Sequence, residues 1–279
     1  MDNKALVKLW IDLSFDDLKS SRLLYDNSHY RTSYFFFQQA VEKANKVFGL
    51  VTDQITEKDF LEIGHDQIKI YRRGIVKKEN EIKVLIKALD NYKKIKDDDL
   101  LGRNTFEICQ NSLNTSLRYI DGLKDKDLVK IPISDLEGAL RELHAIERTK
   151  LWIPDKVDNK FKKIITKLAN WMGNFETPEA LLAQKQFLEL LNNKKELKHY
   201  YKATKRMLHV TVDLSFICAT LASCAVITIQ HSSRTRYPTK GDNPFDIYTI
   251  NLPLIQKQEK FMNLLEKALS KLNDFVNDV

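Results

Sequence analysis

The sequence predicts a nearly all-α protein, an antiparallel helical bundle with a large helical insertion, on three observations. Apolar residues recur three or four positions apart through most of the chain, which gathers them on one side of a helix. Eight glycines and six prolines in 279 residues favour helices over many tight turns. Helix starts such as Ser134-Asp135-Leu136-Glu137 and Thr177-Pro178-Glu179 lead into apolar runs. With 43% hydrophobic and 30% charged residues, the composition is that of a soluble globular protein with material for a sizeable core.

Ala5 to Tyr25 reads as the first helix, with Leu9, Ile11, Leu13 or Phe15, Leu18, and Leu23 or Leu24 available for the core; Asp26-Asn27-Ser28 ends it. His29, Tyr30 and Arg31 cross to Ser33, which can cap a second helix running to Leu50. On that helix Tyr34, Phe37, Ala40 or Val41, Ala44, and Val47 or Phe48 form the face to be buried. Gln38, Gln39, Glu42, Lys43 and Lys46 leave the other side polar, and Gly49 reads as a C-terminal stop. Thr56-Glu57-Lys58-Asp59 begins a short helix through Ile63, and from Asp66 the chain looks helical to about Lys96, with a break near Gly74 and a charged stop at Asp97-Asp98-Asp99.

Helices are expected over Phe106–Leu117, from Ser134 through Ile146, over Phe161–Met172, and from Pro178 to Leu190 or Leu191, with a polar connection from Asp121 to Lys130. These suggest three blocks. Residues 1–99 and 200–279 supply the bundle, and 100–199 is a helical insertion packed on it or a separate domain. In the long helix Tyr200–Gln230, the uncharged run Leu214–Ile229 falls short of the roughly 20 residues of a membrane span and suits a bundle centre. Thr239 to Asn251 is expected as a loop, with Gly241, Asn243 and Pro244 as turn formers, and Leu252-Pro253 starts the last helix.

The net charge of +7 is unevenly placed, for residues 68–96 hold ten Lys or Arg against three acids. Such an excess suits a phosphate backbone or an acidic partner, and makes Arg72, Arg73, Lys77 and Lys78 candidate contacts. Cys109, Cys218 and Cys224 show no metal-ligand spacing with histidine, so they are expected as reduced core residues and no metal is expected. The start MDNKALVKLW has no signal-peptide pattern, and the expected compartment is the cytoplasm, with no membrane partner. No Gly-rich phosphate loop, G-x-S-x-G elbow or H-E-x-x-H motif occurs, and no cofactor is expected.

Three motifs in order resemble the HEPN family, small helical bundles named for nucleotide binding. They are Phe35, Gln38, Gln39, Ala40, Glu42, Lys43 and Lys46 on an early helix; Gly64, His65 and Asp66 before the next; and Arg236, Tyr237 and Pro238 before the last. The resemblance covers roughly residues 10–90 and 205–276. It implies a nucleotide or RNA ligand, a nucleotidyltransferase partner protein, a place in toxin–antitoxin or phage-defence systems, and pairing as a homodimer. It marks His65 and Tyr237 as further candidate ligand contacts.

Many members of that family are metal-independent ribonucleases carrying Arg, four to six residues, then His. The chemistry is a general acid or base for a ribose hydroxyl beside a cation for the phosphorane. Here only Arg22 and His29 have that spacing, and they lie early; the late segment reverses the order, with His231 before Arg234 and Arg236. The sequence therefore favours a non-catalytic binding module. His231, Arg234 and Arg236 are the first choice for any catalytic group, with Arg22 and His29 second.

Overall fold

Periodic apolar residues become helices throughout, and no strand occurs among the residues described, 3–92, 102–238 and 243–278 of a computed structural model. The elements are α1 (Asn3–Asp26), α2 (Tyr30–Val51), α3 (Phe60–Ile63), α4 (Ile68–Leu89), α5 (Arg103–Gly122), α6 (Ile133–Glu147), α7 (Asn159–Gly173), α8 (Pro178–Asn192), α9 (Lys194–Thr228), α10 (His231–Arg234), α11 (Pro244–Ile247) and α12 (Pro253–Asp278). Lys93, Lys94, Lys96, the acidic stop at 97–99 and Gly241 lie outside the described residues.

The chain divides into two compact units, one of residues 1–75, 117–149 and 212–279, the other of 76–116 and 150–211. This division cuts across the blocks read from the sequence. Residues 117–149, assigned there to the insertion, contribute Leu128, Leu136, Leu140 and Leu143 to the core of the first unit. The supposed polar connection is two 3-10 turns with Leu123, Leu128 and Val129 buried.

In the first unit α1 and α2 form a tight hairpin, and α12 packs on α1, α2 and α6. Tyr34, Phe37, Ala40, Val41, Ala44 and Val47 are fully buried, as their spacing predicts, and so are Ile255, Met262, Leu264, Leu265, Ala268, Leu269 and Leu272 of α12. Leu9, Leu13 and Leu23 are exposed; Ile11 and Leu18 take the core side of α1. Ser33 does not cap α2, which begins at Tyr30 after His29. It is buried inside the hairpin, where its hydroxyl donates to the Ser21 carbonyl at 2.8 Å and accepts from Gln258 of α12 at 2.7 Å. Small hydroxyl residues thus let three backbones approach while every donor there finds an acceptor.

The run Leu214–Ile229 lies in this core, with Phe216, Ile217, Leu221, Cys224 and Ala225 at 0–1% exposure. Its parent helix α9 is long and apolar enough to cross a membrane by length and composition alone. From Val212 on it packs inside this unit, with Cys224 buried and Cys218 half-buried, whereas Cys109 on α5, expected in a core, is exposed. The second unit has its own small core of Phe161, Ile165, Leu197 and Tyr201, and the Tyr201 hydroxyl donates to the Pro154 carbonyl at 2.6 Å.

Gly49 does not stop α2, which continues to Val51. Its role is clearance: a Cβ there would lie 2.8 Å from Ile70 Cγ2 and 2.9 Å from Ile55 Cγ1. Gly49→Ala should therefore lower stability by about 1–3 kcal/mol through overpacking, although alanine is the better helix former by about 1 kcal/mol. Urea unfolding checks this, and a variant more stable than wild type would contradict it. Gly74 likewise sits within an unbroken α4, where a Cβ would meet the Gln54 side chain at 2.7 Å.

Candidate functional site

Two side-chain clusters in the first unit join the three motifs pairwise. The first lies at the α1–α2 turn. Ser28 takes a left-handed conformation (φ 62°), and the His29 amide donates to the Leu24 carbonyl at 2.8 Å, which turns the chain sharply into α2. Arg31 in the first turn of α2 donates from Nη1 to the Thr235 carbonyl at 2.6 Å, and its guanidinium carbon lies 4.8 Å from the centre of the Phe245 ring. Its Nε is buried without a partner. Arg236 donates from Nε to the Ser232 carbonyl at 2.8 Å, with its guanidinium carbon 5.8 Å from the Phe35 ring and 5.4 Å from that of Tyr237. Phe36 stands edge-on to Phe35 at 5.4 Å.

This corner interleaves two arginines with aromatic rings, and it is open: Tyr237 is 60% and Phe245 71% exposed. Arginine over a ring face supplies a cation–π contact, and both the ring and the guanidinium plane can stack on a flat ligand. Neither Arg31 nor the short helix α11 that brings Phe245 was legible in the sequence, which gave only a loop there.

His231, expected at a solvent-facing helix end, is instead fully buried. Its Nδ1 meets the Tyr248 hydroxyl at 2.5 Å, its ring packs 4.8 Å from that of Tyr34, and Nε2 has no hydrogen-bond partner. Burial pushes its pKa down to about 4; the Leu128 backbone opposes this without reaching hydrogen-bond geometry at Nε2. An imidazole so enclosed is neutral at physiological pH and has no path to a ribose hydroxyl. Arg234 is half-buried and Arg236 exposed, so the expected trio is split between core and surface. Arg22 is also engaged elsewhere, donating to Asn263 at 2.7 Å and to Glu266 at 2.9 Å on α12, whereas His29 is exposed.

The second cluster is built from residues the sequence assigned to a polar face. Gln38, Glu42 and Lys46 are buried. The Lys46 ammonium donates to Glu42 Oε1 at 2.8 Å and lies 5.5 Å from the rings of both Trp10 and Phe60. The other oxygen, Oε2, accepts from Gln38 at 3.3 Å and faces His65 Nδ1 at 2.8 Å. Desolvation raises the Glu42 pKa, but the hydrogen bonds from His65 and Lys46 and their charges outweigh it, and the net shift is downward. Gly64 (φ 54°) ends α3 and hands the chain to His65, whose side chain is about half exposed, 52%. His65 is therefore tied to Glu42 and keeps its other edge toward solvent.

The basic candidates on α4 are largely neutralised. Arg72 pairs with Asp121 at 3.0 Å, Arg73 with both Asp59 and Glu62 at 2.5 Å, and Lys78 with Glu81 at 2.7 Å. Lys77 also has a partner. Arg72, Arg73 and Lys69 border a cleft of about 450 Å³ whose other walls include Asp66, Asp121 and Glu62, so its formal charges balance. Among the described residues no group of His, Cys, Asp and Glu could hold a metal ion.

A family model described as HEPN domain matches residues 7–116, so this stretch of the chain is similar to HEPN domains, which are generally linked to nucleotides and RNA. Arg236, Tyr237 and Pro238 lie beyond that match and meet the first motif through Phe35. No curated protein and no solved structure matches the chain.

Proposed function

We propose that this protein is a non-catalytic HEPN module that binds RNA or a nucleotide at the corner formed by Arg31, Phe35, Arg236, Tyr237 and Phe245. One observation carries the reading. Two guanidinium groups are held over rings whose neighbouring faces are open, the arrangement that stacks unpaired bases and neutralises their phosphates. The resemblance read from the sequence extends the proposal to a role beside a nucleotidyltransferase partner in toxin–antitoxin or phage defence, as a homodimer, and the start of the sequence to the cytoplasm.

Filter binding of a mixed single-stranded RNA pool in EDTA tests this. A Tyr237→Ala, Phe245→Ala double variant should bind about 10-fold to 100-fold more weakly, given about 1–3 kcal/mol per stacked base. Unchanged affinity would remove the corner from the site. The alternative, a metal-independent ribonuclease using a His/Arg pair, now falls on exposed His29 beside Arg31, because His231 is enclosed. Cleavage of the pool by wild type that is lost in His29→Ala would establish it; cleavage that persists in that variant would not.

A further inference from the structure

A second excess of positive charge lies away from α4. Residues 150–211 carry 13 Lys or Arg and six Asp or Glu, a net +7, and all belong to the second unit. Along α9, Lys195, Lys198, His199, Lys202, Arg206 and His209 fall within about 60° of one line at about 100° per residue, and all six are exposed. At about 1.5 Å rise per residue the stripe is about 21 Å long. Glu196 is the one acidic residue between 194 and 211. Among the described residues no carboxylate pairs with Lys195, Lys198 or Lys202, in contrast to Arg72, Arg73 and Lys78. Lys195, Lys198, His199, Tyr200 and Lys202 line a shallow groove of about 700 Å³.

We infer that this stripe is a sequence-independent anchor site for the phosphate backbone of RNA; that RNA is the ligand rests on the proposed function. Three unpaired ammonium groups recurring once per helical turn or so present a line of charge to a polymer whose charges also recur regularly. An anionic membrane fits less well. A membrane-lying helix needs its apolar face free for insertion. At the start of α9 that face, Leu197 and Tyr201, is buried against Phe161 in the core of the second unit, and it is free only further along, at Leu208.

The test is fluorescence anisotropy of the full chain with a labelled 20-nucleotide single-stranded RNA over a potassium chloride series. A Lys195→Gln, Lys198→Gln, Lys202→Gln variant should lose about 10-fold or more in affinity at low salt, and the slope of log affinity against log salt should shrink by about 2. The corresponding triple arginine variant should bind as wild type, which separates charge from any effect on folding. If the glutamine variant keeps both affinity and slope while the Tyr237→Ala, Phe245→Ala variant loses them, the stripe is not an anchor and the corner reading stands. If the stripe variant loses binding and the corner variant does not, the anchor stands and the corner reading fails. Binding of phosphatidylserine vesicles or polyglutamate, with none of RNA, overturns the inference in favour of that partner.

Discussion

Replacing Glu42 with alanine is expected to cost about 3–5 kcal/mol of folding stability, among the largest effects of any single substitution in this chain. Glu42 and Lys46 are each 7% exposed, and the ammonium is enclosed by Glu42 and the rings of Trp10 and Phe60. Without the carboxylate, Lys46 is a desolvated cation whose rings compensate only part of the charge, and Gln38 and His65 lose the oxygen they share. Replacing both members of the pair by leucine should cost less than either alanine change, because no buried charge is then left alone. Urea unfolding of the three variants decides the matter. A Glu42→Ala cost near zero would mean that water reaches the pair. The folded Glu42 carboxyl titrates below its ordinary value, so its contribution is complete above the unfolded pKa and is lost as pH falls through the folded one.

His231 should dominate a milder acid range. Its folded pKa of about 4 lies below the ordinary histidine value of 6.5, so between them the unfolded chain binds the extra proton and the folded chain does not. Stability then rises with pH across that window. It should fall by about 3 kcal/mol from pH 7 to pH 4, since each unit of difference is worth about 1.4 kcal/mol. Unfolding midpoints measured across this range should slope steeply in wild type and much less in His231→Gln, which removes the titration. An equal slope in both would place the acid sensitivity elsewhere. An NMR titration of the imidazole would show the same thing directly, with no protonation until the folded state begins to fail.

These two residues bear on function as well as stability. Neutral His231 packs against Tyr34 under the turn that carries Arg236, and Thr235 between them is itself buried and bonded to Arg31. The core histidine thus supports the corner without reaching its surface. Glu42 in turn fixes His65 and, through it, the start of the segment that leads into α4. In both cases a residue type that suggests chemistry does structural work beneath a polar surface.

The periodicity of α2 and α12 determined the apolar side of each helix, because an apolar stripe at helical spacing has one way to leave water; where it left a choice, as between Ala40 and Val41, both residues are buried. Two of the three motifs read from the sequence fall inside residues 7–116, the stretch that the HEPN domain model matches. That these motifs meet, Glu42 with His65 and Phe35 with Arg236, only the tertiary structure shows. Burial of charge was decided by tertiary structure alone. Gln38, Glu42 and Lys46 have the composition of a solvated face, and only the arrival of Trp10, Phe60 and His65 from other segments makes their enclosure affordable. The same holds for the basic residues. Lys and Arg counts along α4 and α9 look alike in sequence, but Asp59, Glu62 and Asp121 fold onto Arg72 and Arg73 of the former, and Glu81 pairs with Lys78 within it, while Lys195, Lys198 and Lys202 are left facing solvent. A charge has an effect at a surface only when no neighbour cancels it, and neighbours distant in sequence are chosen by the fold.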